Sequence, residues 1–378
     1  MVVRPASGGM KEHVLGLALG LVALGHGVEV AAPEDSDIFR AALASGLTAR
    51  AIPLVGPLHP LKDPVAVSAL RRLIASGGHD VVHAHGLKAG LVGRLATRFS
   101  TRAPFIVTAH NHVLERDETS GAAKVRYREV ERALASQVAR YIAVSDSIRR
   151  ELVEGYGLSA ERVVTIHNGI DSTPFLVVRD RSAARAALGV PDDVPVVGLA
   201  ARFSTQKGLR HLLAALPEMR RTAPQLIAVI GGSGPLDSEL REQAVALEVS
   251  GFVRWPGHVA EVAELLAALD VYVSPAETEA LGMGLIEASA AALPIVATRV
   301  GGAGEVVVDG ETGLLVPPRD PAALAHTTLA LLGDPELGCT LGAAARARAI
   351  TEFAIDRMVE RTLGVYQAVV AEKPGGRV

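Results

Sequence analysis

The chain has 378 residues and a formal net charge of −3, with 49% hydrophobic and 21% charged side chains. This composition describes a soluble globular protein with ample core, and the length exceeds one ordinary open sheet, so two domains are expected. Aromatic residues make up only 3%, which, with no net positive charge, argues against nucleic acid as a partner. The single cysteine, Cys339, excludes an internal disulfide framework and fits a reducing compartment. The longest apolar run, Val14 to Gly25, is too short to span a bilayer, and the expected location is cytoplasmic. Charge is uneven, +4 over residues 1–170 and −7 over 171–378, with basic residues gathered between Lys62 and Arg150. A solvated helix face is the simpler meaning. The sharper one is peripheral contact with an anionic membrane, or an anionic acceptor.

In chain order, Val2 and Val3 run into RPASGGMKEH, so the first strand has barely begun before a glycine turn at Ser7-Gly8-Gly9. A doubly wound sheet ordinarily opens with a full strand, and residues upstream are expected; an in-frame upstream start codon would show them. A helix is predicted over Met10 to Leu24, with Gly16 and Gly20 on one side for close packing against a sheet. A strand follows in GHGVEVAAP. Strands are then expected near 48–54, 80–84, 104–109, 140–144 and 162–166, and helices near 63–76, 87–99, 122–139 and 146–155. This alternation predicts a parallel sheet covered on both faces. After HNGID, His167 to Asp171, strand periodicity lapses and prolines gather. The expected organisation is a first domain over 1–171, a linker over 172–194, a second alternating domain over 195–352, and a C-terminal helical segment over 353–378.

Several stretches carry candidate chemistry. DVVHAHG places His83 and His85 on one face of a strand end; a paired histidine suggests a metal, but no carboxylate or cysteine cluster accompanies it, and packing is the better account. VTAHN puts His110 directly after an apolar strand, with His112 beside it. In GLAARFSTQKG, Arg202 follows a buried strand and Lys207 with Gly208 opens a helix; two cations there oppose the helix dipole, and a bound anion rationalises them. GGSGPL, Gly231 to Leu236, is a further glycine turn, and WPGHV, Trp255 to Val259, a further loop. The stretch Val271 to Pro318 contains a strand, VYVS, a turn with Glu279, and a helix start, LGMGLIEASAAA, with Glu287 eight residues on. Both acids are expected to face a crevice above the strand ends, where open α/β sheets bind ligands. Free amides at that helix start, with no side chain at Gly282 or Gly284, suit a diphosphate. Two motifs are decoys. Asp35-Ser36-Asp37 reads as a metal-binding D-x-D but starts a helix, where Asp is an ordinary cap. Glu34 is placed like a ribose acid of a dinucleotide fold, yet no G-x-G-x-x-G stands at the first turn.

These motifs, in this order and over almost the whole chain, resemble the retaining glycosyltransferases of family 4 (group 1). The resemblance implies the GT-B fold: two doubly wound Rossmann-like α/β domains facing each other across a cleft, with the last helix crossing back to the first domain. It implies transfer of a sugar from a nucleotide diphosphate donor to an acceptor, with retention by front-face substitution and no metal or other cofactor. It assigns Glu279 to the donor sugar's hydroxyls, Glu287 to the ribose, and the amides of Leu281, Gly282, Met283 and Gly284 to the diphosphate. Arg202 and Lys207 then neutralise the leaving group, and His110 meets the donor sugar at the reaction centre. Gly8 and Gly9 approach the donor phosphate, and Gly232, Gly257 and His258 line the donor site. His13 and His85 fall on the acceptor side. The donor is UDP- or GDP-linked, with UDP slightly favoured, and the acceptor is a carbohydrate or a lipid-linked molecule. The rival readings are a nucleotide-sugar epimerase or hydrolase on the same fold, and a non-catalytic sugar-nucleotide scaffold.

Overall fold

The computed structural model describes residues 1–6, 8–56, 59, 61–98, 100, 103–112 and 121–372. The chain forms two compact units. One holds Met1–Ile170 with the helix Ile355–Ala371, and the other is Asp171–Ala354.

The first unit is a seven-stranded, all-parallel sheet: β1 (Val2–Val3), β2 (Glu29–Ala32), β3 (Thr48–Ala51), β4 (Val82–His85), β5 (Phe105–Ala109), β6 (Arg140–Ala143) and β7 (Val163–Thr165), in the order β3-β2-β1-β4-β5-β6-β7. Although β1 has two residues, it lies inside the sheet, with Val2 opposite both Ala31 and Ala84 and Val3 opposite His85. β5 is buried along its whole length, which is why FIVTA reads as an unbroken apolar run rather than an alternating one. The helix expected over 146–155 divides into Asp146–Arg150 and a π-turn at Glu151–Gly155. Ser7 of the first glycine turn lies outside the described residues.

Two local expectations are corrected. The glycine face of the helix Gly9–Ala23 packs on the helix Ile355–Ala371, not on the sheet. A Cβ at Gly16 would stand 2.3 Å from Ile355 Cδ1, and one at Gly20 would stand 2.5 Å from Val359 Cγ2. Glycines four apart on one face let two helix backbones approach, and the apolar side chains of the later helix fill the space; Met358, Val359 and Val369 join Leu17, Leu21, Ile106, Ile142 and Ile166 in one core. At Asp35-Ser36-Asp37, the helix cap is Ser36, whose side chain accepts from the Phe39 amide, while Asp37 pairs with Arg40 at 2.6 Å. The serine is the residue whose oxygen reaches back to the third residue of the helix.

The second unit is a six-stranded parallel sheet: β8 (Val196–Ala200), β9 (Ile227–Gly231), β10 (Val253–Arg254), β11 (Val271–Ser274), β12 (Ile295–Thr298) and β13 (Leu314–Val316), in the order β10-β9-β8-β11-β12-β13. Residues 172–194 are packed into this unit. Arg185, on the helix Arg181–Ala187, is almost fully buried; it donates to Asp270 at 2.9 Å and to the carbonyls of Ala268 and Val194 at 3.1 Å each.

Each sheet reverses its strand order once, beside β1 in the first unit and beside β8 in the second. The loops leaving β1 and β4, and those leaving β8 and β11, therefore diverge to opposite sides and leave a crevice at the carboxyl edge. Among the described residues no helix is long and apolar enough to cross a membrane.

Gly20→Val is expected to lower stability by about 1–3 kcal/mol through overpacking. Its new side chain meets Val359, which is β-branched and stiff. The unfolding midpoint in urea checks this, and an unchanged midpoint would show that the two helices can part at no cost.

Candidate active site

In the second unit, the loop after β8 carries Arg202 and Lys207, and the turn after β11 carries Glu279. Lys207 closes the short turn Thr205–Lys207, and Gly208 caps the helix Leu209–Thr222 with φ of +60°. A Cβ at Gly208 would lie 2.0 Å from the Pro275 carbonyl. Glycine is thus required for the first loop to press against the second, and that approach lets Lys207 Nζ meet Glu279 Oε2 at 2.6 Å. The pair is partly open, with the side chains 31% and 12% exposed. Arg202 is exposed; its carbonyl accepts from the Ser204 amide at 2.9 Å, and its side chain has no hydrogen bond or ion pair among the described residues.

The helix Met283–Ala290 follows Gly282, which is left-handed and provides no side-chain cap. Leu281 is buried, so its side chain faces the core and only its backbone is available. Beneath the helix start lies Tyr272. A Cβ at Gly284 would fall 2.4 Å from its hydroxyl. Burial raises the Tyr272 phenol above its usual range, and the charges of Glu287 and Glu279 add to this. The charges of the two acids thus both act on one buried hydroxyl. The Gly232 amide donates to the Gly257 carbonyl at 2.6 Å, which ties the GGSGPL turn to the WPGHV loop; His258 is exposed beside it. An uncapped helix N-terminus with a lysine and an arginine on a neighbouring loop has the free amides and charge that suit an anion.

In the first unit, Gly8 caps the helix Gly9–Ala23 with φ of +58° and is open to solvent. One turn later comes His13. It meets the ends of β4 and β5, so that His13, His85 and His110 form one buried cluster. His85 Nδ1 and His110 Nε2 are 3.2 Å apart, and the His13 ring stands edge-on to His110, with centroids 4.6 Å apart. His83, one step back along β4, is bonded at both nitrogens, to Tyr366 Oη at 2.5 Å and Thr108 Oγ1 at 2.7 Å. Burial pushes His13 down to about 4 and holds His83, His85 and His110 well below the ordinary histidine value, so all four are neutral near pH 7. Both His13 nitrogens, His85 Nε2 and Asn168 Oδ1 are buried without a hydrogen bond.

The nitrogens of His13, His85 and His110 lie within 4.8 Å of one another, a spacing that would admit a metal. The group contains no carboxylate, and the Arg4 guanidinium acts on His110 as a positive charge. Its electrostatics favour neutral hydrogen bonding over cation capture. His112, which the sequence left without a role, bonds Glu151 Oε2 at 2.6 Å and Ser147 Oγ at 3.2 Å. Tyr272, Glu151, Arg4 and Tyr366 were not singled out in the sequence. Only Tyr272 left a signal there, as a phenol between two valines, two residues before the strand's end.

The parallel α/β architecture with a site at each strand-order reversal defines a protein of the GT-B class. The structure of HepE from Anabaena, solved with UDP-glucose, matches with a TM-score of 0.85 at 24% identity over 97% of this chain and 99% of that one. The model of glycosyltransferase family 4 matches residues 7–173, and that of glycosyl transferases group 1 matches residues 180–348. The chain is 31% identical over 395 residues to D-inositol 3-phosphate glycosyltransferase 1 of Catenulispora acidiphila, covering 98% of this chain and 92% of that protein. It is 33% identical over 296 residues to a glycogen synthase of Mycobacterium tuberculosis, covering 76% and 69%. The chain belongs to the group 1 glycosyltransferases of family 4. It is a glycosyltransferase that draws on a nucleotide-sugar donor.

The buried neutral histidines make stability fall in acid. His13 takes up a proton near pH 6.5 when unfolded but only near pH 4 when folded. Its contribution is present in full above about pH 6.5 and is lost as pH falls towards 4, on the order of 3 kcal/mol. His83, His85 and His110 add in the same direction. Urea unfolding at pH 7.5 and pH 5 is expected to show a lower midpoint and net proton uptake at the lower pH.

Proposed function

We propose that the enzyme transfers its sugar with retention of anomeric configuration, by front-face substitution and without a metal. The observation that carries this is the Lys207–Glu279 ion pair at 2.6 Å, set beside the uncapped start of the helix Met283–Ala290. A diphosphate bound over that helix start takes two fixed cations, Lys207 and Arg202, on its leaving side, and these perform the charge neutralisation otherwise given to a metal. Glu279 orients the sugar through its hydroxyls and holds Lys207 in place; Glu287 holds the ribose. The amides of Leu281, Gly282, Met283 and Gly284 meet the phosphates, while Gly8 and Gly9 leave room for them. Gly232, Gly257 and His258 line the base, for which UDP is the first donor nucleotide to test.

In the reaction the anomeric C–O bond to the diphosphate breaks, the acceptor oxygen bonds to the same face, and the acceptor proton passes to the departing phosphate oxygen. The acid pair has no part as nucleophile: Glu279 is engaged with Lys207, and Glu287 serves the ribose. His110 meets the transferred sugar, and His13 and His85 stand behind it on the acceptor side. For the acceptor we favour a small polyhydroxylated molecule that carries a phosphate. The inositol-phosphate transferase relative at 31% identity supports this, as do Arg4, just after β1, and Lys88, which pairs with Asp63 in the first turn of the helix Leu87–Thr97 after β4. Transfer is favoured over scaffolding because a leaving-group cation pair serves a chain that breaks the anomeric bond, and over hydrolysis or epimerisation because the relatives are transferases.

Lys207→Ala is expected to cut kcat by about a hundredfold or more, in line with loss of one fixed electrostatic donor; near-normal turnover would remove Lys207 from the mechanism. In a thermal-shift screen with UDP, GDP, ADP and dTDP, one nucleotide is expected to raise Tm in the wild type but not in Glu287→Ala. Equal shifts in both proteins would sink the ribose contact.

A further inference from the structure

Four histidine rings lie together at the carboxyl edge of β4 and β5, and their eight ring nitrogens are not equivalent. Among the described residues, His83 is bonded at both nitrogens. Both nitrogens of His13 are sealed from solvent without a partner, as is His85 Nε2. His85 Nδ1 and His110 Nε2 are bonded to each other. Among the described residues His110 Nδ1 alone is neither bonded nor sealed, so it is the nitrogen left for a ligand. We propose that His85 is a positioning residue that fixes the tautomer of His110, so that His110 presents Nδ1–H as a hydrogen-bond donor to a substrate oxygen. The proposal rests on the reading of His110 as a substrate contact.

The argument turns on one proton. Both rings are neutral, so the Nδ1···Nε2 contact holds a single hydrogen. If His110 supplied it, the other proton of the pair would sit on His85 Nε2, a buried N–H with no acceptor. If His85 supplies it, Nε2 is left as a bare lone pair. An orphaned buried N–H is the rarer and costlier of the two, because an acceptor left short of a donor is better tolerated than a donor with none. His85 therefore donates from Nδ1, His110 Nε2 accepts, and the proton of His110 stands on Nδ1. The arrangement also needs His85 not to flip. The His83 ring provides the wall: its centroid is 4.2 Å from that of His85, and Thr108 and Tyr366 clamp its two nitrogens. Tyr366 is on the last helix, which gives that helix a part in orienting a group it does not touch. A donor at His110 suits a hydroxyl, ring or glycosidic oxygen, and it adds no charge to the site.

Two substitutions separate donation from mere packing. His85→Asn places a carboxamide N–H near the position of Nδ1–H, and His85→Asp places an acceptor there, which draws the His110 proton to Nε2. Nitrogen-detected NMR of 15N-histidine-labelled protein, with His110 assigned from the His110→Gln spectrum, is expected to show the Nδ1–H tautomer in wild type and His85→Asn, and Nε2–H in His85→Asp. Turnover is expected within about tenfold of wild type for Asn and about a hundredfold or more below it for Asp, with KM for the donor little changed. A wild-type His110 protonated at Nε2, or equal kcat losses in Asn and Asp, would overturn the proposal. The NMR result needs no turnover. A wild type with the expected tautomer but no transferase activity would therefore count against the reaction assigned above and not against the role of His85.

Discussion

Everything functional in this protein depends on the strand-order reversal in its parallel sheets. A parallel sheet needs a crossover helix after each strand, and all carboxyl ends point to one edge. When the order reverses, two neighbouring strands send their loops apart, and the backbone groups at that point face solvent rather than a helix. Both sheets use this point in the same way. Glycine turns follow β1 and β8, the strands from which each reversal starts. Chemically active side chains follow the partner strands: His85 directly at the end of β4, and Glu279 in the turn after β11.

The two edges solve different electrostatic problems. In the second unit charge is kept, partly solvated and paired: Lys207 meets Glu279, Arg202 remains exposed, and the helix start at Gly282 and Gly284 presents bare amides. Such a place suits a polyanion, which binds by replacing water around existing cations and dipoles. In the first unit charge is suppressed. Burial holds four histidines neutral, and the Arg4 guanidinium pushes His110 the same way. The outcome is a set of neutral donors and acceptors, suited to hydroxyl groups rather than to phosphate transfer.

Close approach is what these arrangements cost in sequence freedom. Gly208 stands where a Cβ would strike the Pro275 carbonyl, and Gly284 where it would strike the Tyr272 hydroxyl. An alanine at the first position would have to move the Pro275 backbone, and one at the second would have to displace the Tyr272 ring. The last helix shows the same principle in the first unit, where Gly16 and Gly20 admit Ile355 and Val359 and so bring Tyr366 to His83. Packing and site geometry are one problem here, since the same helix completes the core and clamps a ring.

The sequence by itself determined the parallel α/β class, the positions of most strands, and the motifs at Glu279, Glu287, Arg202, Lys207 and His110. The reason is that these signals are local: buried parallel strands are unbroken apolar runs, and turns need glycine. Packing partners were a different matter. Nothing near Gly16 names Ile355, and nothing near His83 names Tyr366, because those pairs are hundreds of residues apart in sequence and meet only when the last helix closes on the first unit. The Lys207–Glu279 contact, the Ser147–His112–Glu151 group and the gathering of His13 with His85 and His110 were likewise decided by tertiary structure. Periodicity tells a residue which face it occupies; only the order of strands in the sheet tells it which distant residue it will face.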